Sequence, residues 1–276
     1  MDGHVTMALP RPGPALKTVL LLIGAIGIFE AFLANYVPGG IDLVRYFVCR
    51  PGPALLREPW RLLTAGLLTS PESVGHLIFT IIGLYFLSPD LERRWGAFRF
   101  ARFLALSVVV GFLFSGLVDA VAPPSAPAGF HPQVMYGAGA AITATAVAWS
   151  KMNAHLQVRL FFFLPITGRQ LLWVTIGFCV LGLFYPNGIP EGVAAPFGGV
   201  VVGLLFGGTP SVVRAIYLRI KLLFLRRTVG SAAVRPLVKP PVPRSRGKAP
   251  PLRVVPGGLE EELGKRRPPK DKRYLN

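Results

Sequence analysis

The chain has 276 residues, of which 52% are hydrophobic and only 16% are charged. Soluble domains carry about 25% charged residues, so the composition excludes an ordinary soluble domain and predicts a membrane protein. The formal net charge is +17, and the part from residue 209 onward holds 17 of the 30 Lys and Arg but only 4 of the 13 Asp and Glu. Positive charge is therefore concentrated in the last quarter of the chain.

Six apolar runs follow one another along the chain, and each is a candidate membrane helix. They cover residues 18–37, 74–87, 103–118, 134–149, 171–185 and 192–208. Several are shorter than the roughly 20 apolar residues that span a bilayer. We therefore expect the short runs to borrow flanking residues, to tilt, or to be buried among other helices. The fold predicted is an all-α, polytopic six-helix bundle.

The second run has a recognisable start. Ser70 is a candidate N-cap, Pro71 suits the first helical position, and Glu72 favours the positive end of a helix. The sequence thus predicts that the second helix begins at about Pro71.

Lys and Arg bias predicts the orientation of the bundle. The turns after the second and fourth runs are basic, whereas the loops 119–133 and 186–191 contain neither Lys nor Arg. We therefore expect both termini on the cytoplasmic side. The first loop, 38–72, is the exception, because it carries four arginines on the far side. Its length and its own apolar residues predict a structured lateral element.

The chain divides into four predicted parts. Residues 1–17 are an N-terminal cytoplasmic segment, 18–208 the membrane domain, 209–229 a basic amphipathic helix, and 230–276 a disordered, basic, Pro-rich tail. Basic segments beside a bilayer are attracted to anionic lipids, so we expect the tail to contact anionic lipid and expect no specific nucleic-acid binding. The abundance of Ala, Gly, Pro and Arg favours a bacterial cytoplasmic membrane.

Two apolar runs carry stripes of small residues at a spacing of three or four. Such stripes let helix backbones approach closely in lipid, so we predict that the fourth and sixth helices touch. The positions are Gly137, Ala141, Ala144 and Ala148 in the fourth run, and Ala195, Gly199, Gly203 and Gly207 in the sixth.

Four landmarks, in order over about residues 40–208, resemble the rhomboid family of intramembrane serine proteases. They are "EPWRLLTAGLL" with the Trp-Arg pair Trp60 and Arg61; "GHLIFTIIGLYFLSPDLERRWG" with His76 and the closing Glu92, Arg93 and Arg94; "YGAGAAI" at the family's Gly-x-Ser-Gly motif; and "APFGGVVVG" at its Ala-His motif and glycine stripe. The resemblance implies a rhomboid-like fold in which Trp60, Arg61, Glu92 and Arg93 belong to structural motifs.

The departures from the family pattern bear on function. Aligned on these motifs, the nucleophilic serine falls on Gly139, the catalytic histidine on Pro196, and the second-helix asparagine on Thr80, while His76 is retained. Serine catalysis needs a hydroxyl and a base that takes its proton. We therefore expect no catalytic residue and no enzyme activity. The resemblance to inactive rhomboids and derlins implies a protein that binds transmembrane clients in quality control or trafficking.

Alternative functions stay open at this stage. A shifted protease would use Thr143, one turn after Gly139, with His131 as its base. A small-molecule transporter would need paired polar groups at mid-membrane, for which Glu30 is the intramembrane carboxylate in question. A fourth possibility is that the basic tail is the working part. Cys49 and Cys179 form no ligand cluster, so no metal or other cofactor is expected.

Overall fold

The computed structural model describes residues 11–37, 43–160, 164–185, 190–208 and 211–228. The tail predicted over 230–276 lies outside the described residues, as do the first ten residues of the predicted N-terminal segment. The chain divides into two compact units, Met1–Phe224 and Leu225–Asn276. The bundle belongs to the first unit, and the described part of the second consists of the last residues of a helix.

The described chain is mostly helical, which confirms the predicted class of fold. The longer helices are α1 (Pro14–Tyr36), α5 (Val74–Leu87), α7 (Ala97–Val121), α8 (Gly139–Met152), α9 (Gly168–Phe184), α10 (Ala195–Phe206) and α11 (Val212–Thr228). The shorter ones are α2 (Leu43–Phe47), α3 (Ala54–Arg57), α4 (Arg61–Thr64) and α6 (Pro89–Trp95), with 3-10 turns at Ala65–Leu67 and Ala128–Phe130.

Each of the six apolar runs coincides with one of the longer helices, but the helices differ in their capacity to span a membrane. Among the described residues, α1 and α7 are long and apolar enough to cross a bilayer. The α5 and α6 pair, bent by 46°, makes a third candidate, while α9 and α10 are shorter apolar helices. The protein is an integral membrane protein whose central helices are shorter than a bilayer is thick.

The fourth run does not become helical at its start. Met135 instead forms an antiparallel bridge with Cys49 of the first loop, its N–H lying 2.8 Å from the Cys49 carbonyl. Gly137 follows with a φ of +123°, a conformation that favours glycine. The helix α8 therefore begins only at Gly139. The prediction that Gly137 belongs to a helical stripe is wrong, because this residue lies in the turn before the helix.

The second membrane helix also begins later than predicted. The N-cap of α5 is Ser73, whose side chain accepts the backbone N–H of His76 at 3.3 Å. The prediction that Ser70 is the N-cap is wrong, because residues 70–73 form a turn in which the Ser70 carbonyl accepts the N–H of Ser73. The backbone N–H of Ser70 is instead directed at the ring of His76.

A short antiparallel hairpin joins α8 to α9, where the sequence predicted only a basic turn. Its strands are β1 (Gln157–Leu160) and β2 (Leu164–Thr167), with Gln157 opposite Thr167. Thr167 then caps α9 in a reciprocal pair of hydrogen bonds with Gln170. The hairpin is the one β element in the described part of the chain, apart from the isolated bridge at Cys49.

Glycine allows α10 to contact two neighbours at backbone distance. A Cβ atom on Gly199 would collide with the carbonyl of Ala140 in α8, and one on Gly203 would lie 2.8 Å from the carbonyl of Ala144. On the other side, a Cβ on Gly198 would lie 2.7 Å from the Cα of Gly111 in α7. The helix α10 is thus packed between α7 and α8, and α8 and α10 contact each other as the small-residue stripes predict.

The first loop is structured over its described residues. The Arg61 guanidinium donates to the carbonyls of Arg45 and Val48, each at 3.4 Å, and forms an ion pair with Glu58 at 2.8 Å. The Thr64 hydroxyl donates to a further carbonyl of α2, that of Phe47, at 3.1 Å. These contacts fold α2 back onto α4 and give the loop a defined structure.

Candidate functional site at the start of helix α8

Three loops meet in front of α8. The first loop supplies the Cys49 bridge to Met135 and also the carbonyl of Ala65, which accepts the N–H of Gly137 at 2.9 Å. The segment before α10 supplies the carbonyl of Pro190, which accepts the N–H of Tyr136 at 3.2 Å. These backbone hydrogen bonds hold the residues before α8 in one place, so the start of the helix faces a fixed set of side chains.

A carboxylate lies at the N-terminus of α8. Glu191, in the segment before α10, is only 5% exposed, and its Oε1 accepts the backbone N–H of Gly139 at 2.9 Å. The first N–H groups of a helix have no partner within the helix and carry partial positive charge. The carboxylate therefore satisfies one of these groups and is stabilised by the helix dipole.

His76 faces the same carboxylate oxygen. Its Nδ1 accepts the backbone N–H of Ser70 at 3.0 Å, which places the proton of a neutral imidazole on Nε2. That Nε2 lies 3.7 Å from Oε1 of Glu191. The Glu191 Oε1 therefore accepts the Gly139 N–H and lies near His76 Nε2, at a distance beyond that of a hydrogen bond.

The carboxylate also occupies the space that a nucleophile would need. A Cβ atom on Gly139 would lie 2.7 Å from Oε1 of Glu191, and one on Gly137 would collide with the same oxygen. A serine at position 139 thus cannot be accommodated while Glu191 keeps this position. The absence of side chains at Gly137 and Gly139 is what lets Glu191 reach the helix.

The other two degenerate positions lie on the helices around this point. Pro196 is half-buried in the first turn of α10, where a proline costs no hydrogen bond. Thr80 is 1% exposed on α5, one turn beyond His76. The fold therefore gathers Gly139, Pro196, His76 and Thr80 on three neighbouring helices, with Glu191 in front of them.

Further carboxylates surround this end of the bundle. Glu30 in α1 is 3% exposed, and Glu30, Glu72 and Glu191 all act electrostatically on the phenol of Tyr136. The structure thus places Glu30 toward the C-terminal end of α1, facing the interior of the bundle.

The residues of the shifted dyad have other neighbours. Thr143 of α8 lies beside Cys179 of α9. The His131 ring is 3.0 Å from a carboxylate oxygen of Asp119 and 3.0 Å from the carbonyl of Pro123. Among the described residues, no hydrogen bond joins Thr143 to His131.

The remaining motif residues lie away from this site. Glu92 is 3% exposed in α6 and accepts the backbone N–H groups of Ala15, at 2.8 Å, and Leu16, at 3.2 Å, at the start of α1. Arg93 pairs with Asp90 at 3.0 Å and is otherwise exposed. Trp60, at 56% exposure, lies at the surface of the first loop beside Arg61.

The nearby Asp90 also connects α6 to α8. Its Oδ2 is 2.9 Å from the Arg94 guanidinium and accepts the side-chain amide of Asn153 at 3.2 Å. Arg94 in turn donates to the amide oxygen of Asn153 at 2.8 Å. The closing Glu-Arg-Arg motif and Asp90 therefore connect α6 to the start of α1 and to the end of α8.

These features define an integral membrane protein of helical architecture in which a buried carboxylate caps the start of α8. The family model for the Rhomboid domain matches residues 56–211. This match covers more than half of the chain, and the protein therefore belongs to the rhomboid family. A search of curated proteins gives no match.

Sequence reasoning missed Glu191, the residue that dominates the site. The available signal was its position: it is the one carboxylate in the loop 186–191, five residues before Pro196. The loop's lack of Lys and Arg bears on orientation and gives no sign of a site. Nothing in the local sequence indicates that its carboxylate points at a helix that begins 52 residues earlier.

Proposed function

We propose that this rhomboid-family protein is catalytically inactive and acts as a membrane scaffold that binds transmembrane segments of client proteins. The observation that carries the proposal is the position of Glu191. Its carboxylate accepts the N–H of Gly139 and occupies the space beside Gly139 from which a nucleophilic side chain would extend.

Two further features support inactivity. Pro196 has no proton acceptor in its side chain, so the position that the family uses for the base cannot activate a hydroxyl. His76 is engaged with Ser70 through Nδ1 and faces Glu191 through Nε2, which is a structural use of a histidine that has no nucleophile beside it.

Client binding is supported by the shape of the membrane part. The helices α9 and α10 have 17 and 12 residues, whereas a spanning helix has about 20. Helices shorter than the bilayer thin it locally. A thinned bilayer lowers the cost of holding a client helix that carries polar or helix-breaking residues.

The test of inactivity is reaction with a fluorophosphonate probe, which labels activated serines. We expect no labelling of the wild type, and no labelling of Gly139→Ser/Pro196→His, because Glu191 occupies the serine's position. Addition of Glu191→Ala to that pair should permit labelling. The matched control is the triple variant with His76→Ala in place of Glu191→Ala, which leaves the carboxylate where it is.

Proteolysis by the wild type would contradict the proposal directly. Cleavage of a transmembrane substrate that disappears in Thr143→Ala would instead establish the shifted nucleophile. Cleavage that disappears in Glu191→Gln but persists in Thr143→Ala would make the carboxylate itself the catalytic group.

Client binding is tested by co-purification of the full-length protein with two transmembrane peptides of equal length. One carries a central Gly-Pro and an Asn, and the other is Leu-rich and stably helical. The scaffold proposal predicts retention of the first and little retention of the second. Equal retention of both would indicate general hydrophobic adhesion and would overturn the client-binding proposal.

The proposal extends to topology and to the basic C-terminal region. The Lys and Arg distribution supports six spans with both termini in the cytoplasm of a bacterial cell, and fusions of a periplasmic reporter to each loop test this. Contact of the tail with anionic lipid is tested by deletion of residues 230–276. If that deletion abolishes the protein's phenotype in cells while client binding persists, the tail carries the function and the membrane domain anchors it.

A further inference from the structure

An open groove runs along the surface of α7, away from the site at α8. It holds about 500 Å³ and is bounded by α4, the end of α6, α7 and the end of α10. Its lining is charged at one end and apolar along the rest. No acidic residue contributes to the lining as the structure describes it.

Two arginines from the start of α7 form the charged end. Arg99 donates to the carbonyl of Gly208 at 2.8 Å and lies over the Trp95 ring at 5.1 Å, so its position is fixed by the fold. Arg102 is exposed and lies over the Phe98 ring at 5.5 Å. Within the described residues, neither guanidinium is paired with a carboxylate.

A hydroxyl completes this end of the groove. Ser211 lines it and accepts the backbone N–H of Arg214 at 3.3 Å through its Oγ, which leaves the hydroxyl proton available. Arg99 uses part of its guanidinium on the Gly208 carbonyl, and its remaining N–H groups, Arg102 and the hydroxyl can donate to a ligand. Guanidinium forks suit the oxygens of a phosphate.

The apolar part continues along α7 for about two turns. Phe103, Leu106 and Val109 lie along it on one face of the helix, and Leu63 of the first loop, 50% exposed, closes its far end. Phe206 of α10 forms part of its wall. Because α7 is long and apolar enough to span the membrane, this face is turned to hydrocarbon, and the arginines lie where a headgroup would be.

We propose that this groove binds one anionic phospholipid, with the phosphate on Arg99 and Arg102 and an acyl chain along Phe103, Leu106 and Val109 toward Leu63. The site is distinct from the basic tail and from the client-binding function proposed above. The observation that selects this occupant is charge complementarity: among the described residues the positive end is lined by no carboxylate, and it is continuous with an apolar channel along a helix long and apolar enough to cross the membrane. A lipid bound here would also connect the first loop to the end of α10.

The test is native mass spectrometry of the full-length protein. It is delipidated and then exposed to an equal mixture of phosphatidylglycerol and phosphatidylcholine with identical acyl chains. The wild type should retain one phosphatidylglycerol in preference to phosphatidylcholine. Arg102→Gln should weaken that retention about fivefold, because each basic residue near the membrane surface contributes about 1 kcal/mol of attraction to an anionic lipid, which corresponds to that factor in affinity.

Two matched controls separate the groove from general surface charge. Arg169→Gln removes an exposed arginine at the start of α9 and should leave retention unchanged. Leu106→Trp fills the apolar part and should abolish retention without changing charge, whereas Leu113→Trp alters a lipid-facing leucine farther along α7 and should not. The tail is present in every variant, so its contribution cancels.

The proposal fails if Arg102→Gln and Arg169→Gln weaken retention equally, or if the wild type retains the two lipids equally. It also fails if Leu106→Trp, folded as judged by its thermal transition, still retains phosphatidylglycerol. Should Leu106→Trp not fold, Arg102→Glu provides the second measurement: a charge reversal in the groove must reduce retention more than Arg102→Gln does.

Discussion

Two buried glutamates at opposite ends of α5 perform the same physical task. Glu92 accepts the N–H groups of Ala15 and Leu16 at the start of α1, and Glu191 accepts the N–H of Gly139 at the start of α8. Each lies where a glycine leaves room: a Cβ on Gly13 would collide with Glu92, as one on Gly137 would with Glu191. Both carboxylates are compensated by helix N-termini.

The two ends differ in what holds the carboxylate. Glu92 belongs to the helix α6, which also contains the ion pairs of Asp90 with Arg93 and Arg94. Its carboxylate accepts two N–H groups. Glu191 belongs to the segment before α10, satisfies one N–H group, and faces the imidazole of His76 across 3.7 Å. The comparison shows that Glu92 joins two helices through two hydrogen bonds, whereas Glu191 caps one helix through a single hydrogen bond beside an imidazole.

The largest expected effect is at Glu92. Glu92→Ala leaves the N–H groups of Ala15 and Leu16 buried without an acceptor, and we expect it to reduce the free energy of unfolding by about 2–3 kcal/mol. Glu92→Gln keeps one acceptor and should cost about half as much. The measurement is unfolding of the detergent-solubilised protein by titration with a denaturing detergent. Equal costs for the two variants would show that the negative charge, and not the acceptor, matters.

A smaller effect is expected at Glu191. Glu191→Ala removes one hydrogen bond and should cost about 1 kcal/mol in the same measurement. Since the two glutamates lie at opposite ends of α5, the double variant Glu92→Ala/Glu191→Ala should be additive to within about 0.5 kcal/mol. A larger coupling would mean that the two ends of the bundle do not respond independently.

The effect of Gly139→Ala on stability should change sign according to whether Glu191 is present. Gly139→Ala places a Cβ atom 2.7 Å from Oε1 of Glu191, so we expect a loss of about 1 kcal/mol from displacement of the carboxylate. In the Glu191→Ala background the same change should stabilise by about 0.5 kcal/mol, because alanine is favoured over glycine in a helix. Equal effects in both backgrounds would mean that Glu191 does not occupy this space.

The smallest effect is a dependence on pH at the loop before α8. The carbonyl of Pro123 and then the carboxylate of Asp119 raise the pKa of His131 above its usual 6.5. The pair therefore stabilises the fold fully below pH 6.5 and loses its contribution as the pH rises through the higher pKa of the folded state. His131→Gln should remove this part of the pH dependence of the thermal unfolding midpoint. A variant with the same pH profile as the wild type would contradict it.

Much of the helical framework follows from the sequence by itself. An apolar run cannot leave its backbone groups unpaired in lipid, so each of the six runs becomes a helix, and the small residues of 195–207 predict that α10 meets α8. The motif residues in their order identify the rhomboid family. These conclusions depend on local composition and spacing, which a sequence states directly.

The candidate site was predicted only in part. Alignment with the family motifs draws attention to Gly139 and Pro196, because the identity of each residue can be read from the sequence. The start of α8 could not be located in this way, since it depends on the bridge between Met135 and Cys49, two residues far apart in the chain. The hairpin after α8 was missed because its strands lie between two helices and resemble a basic turn.

The sequence by itself determined the class of protein and the approximate positions of its helices. Only the tertiary structure decided which side chain lies in front of α8. Glu191 reaches Gly139 because three loops meet in front of α8 and because neither Gly137 nor Gly139 carries a side chain. A carboxylate near a helix N-terminus is stabilised by distance and direction, and neither quantity can be read from residues 52 positions apart in the chain.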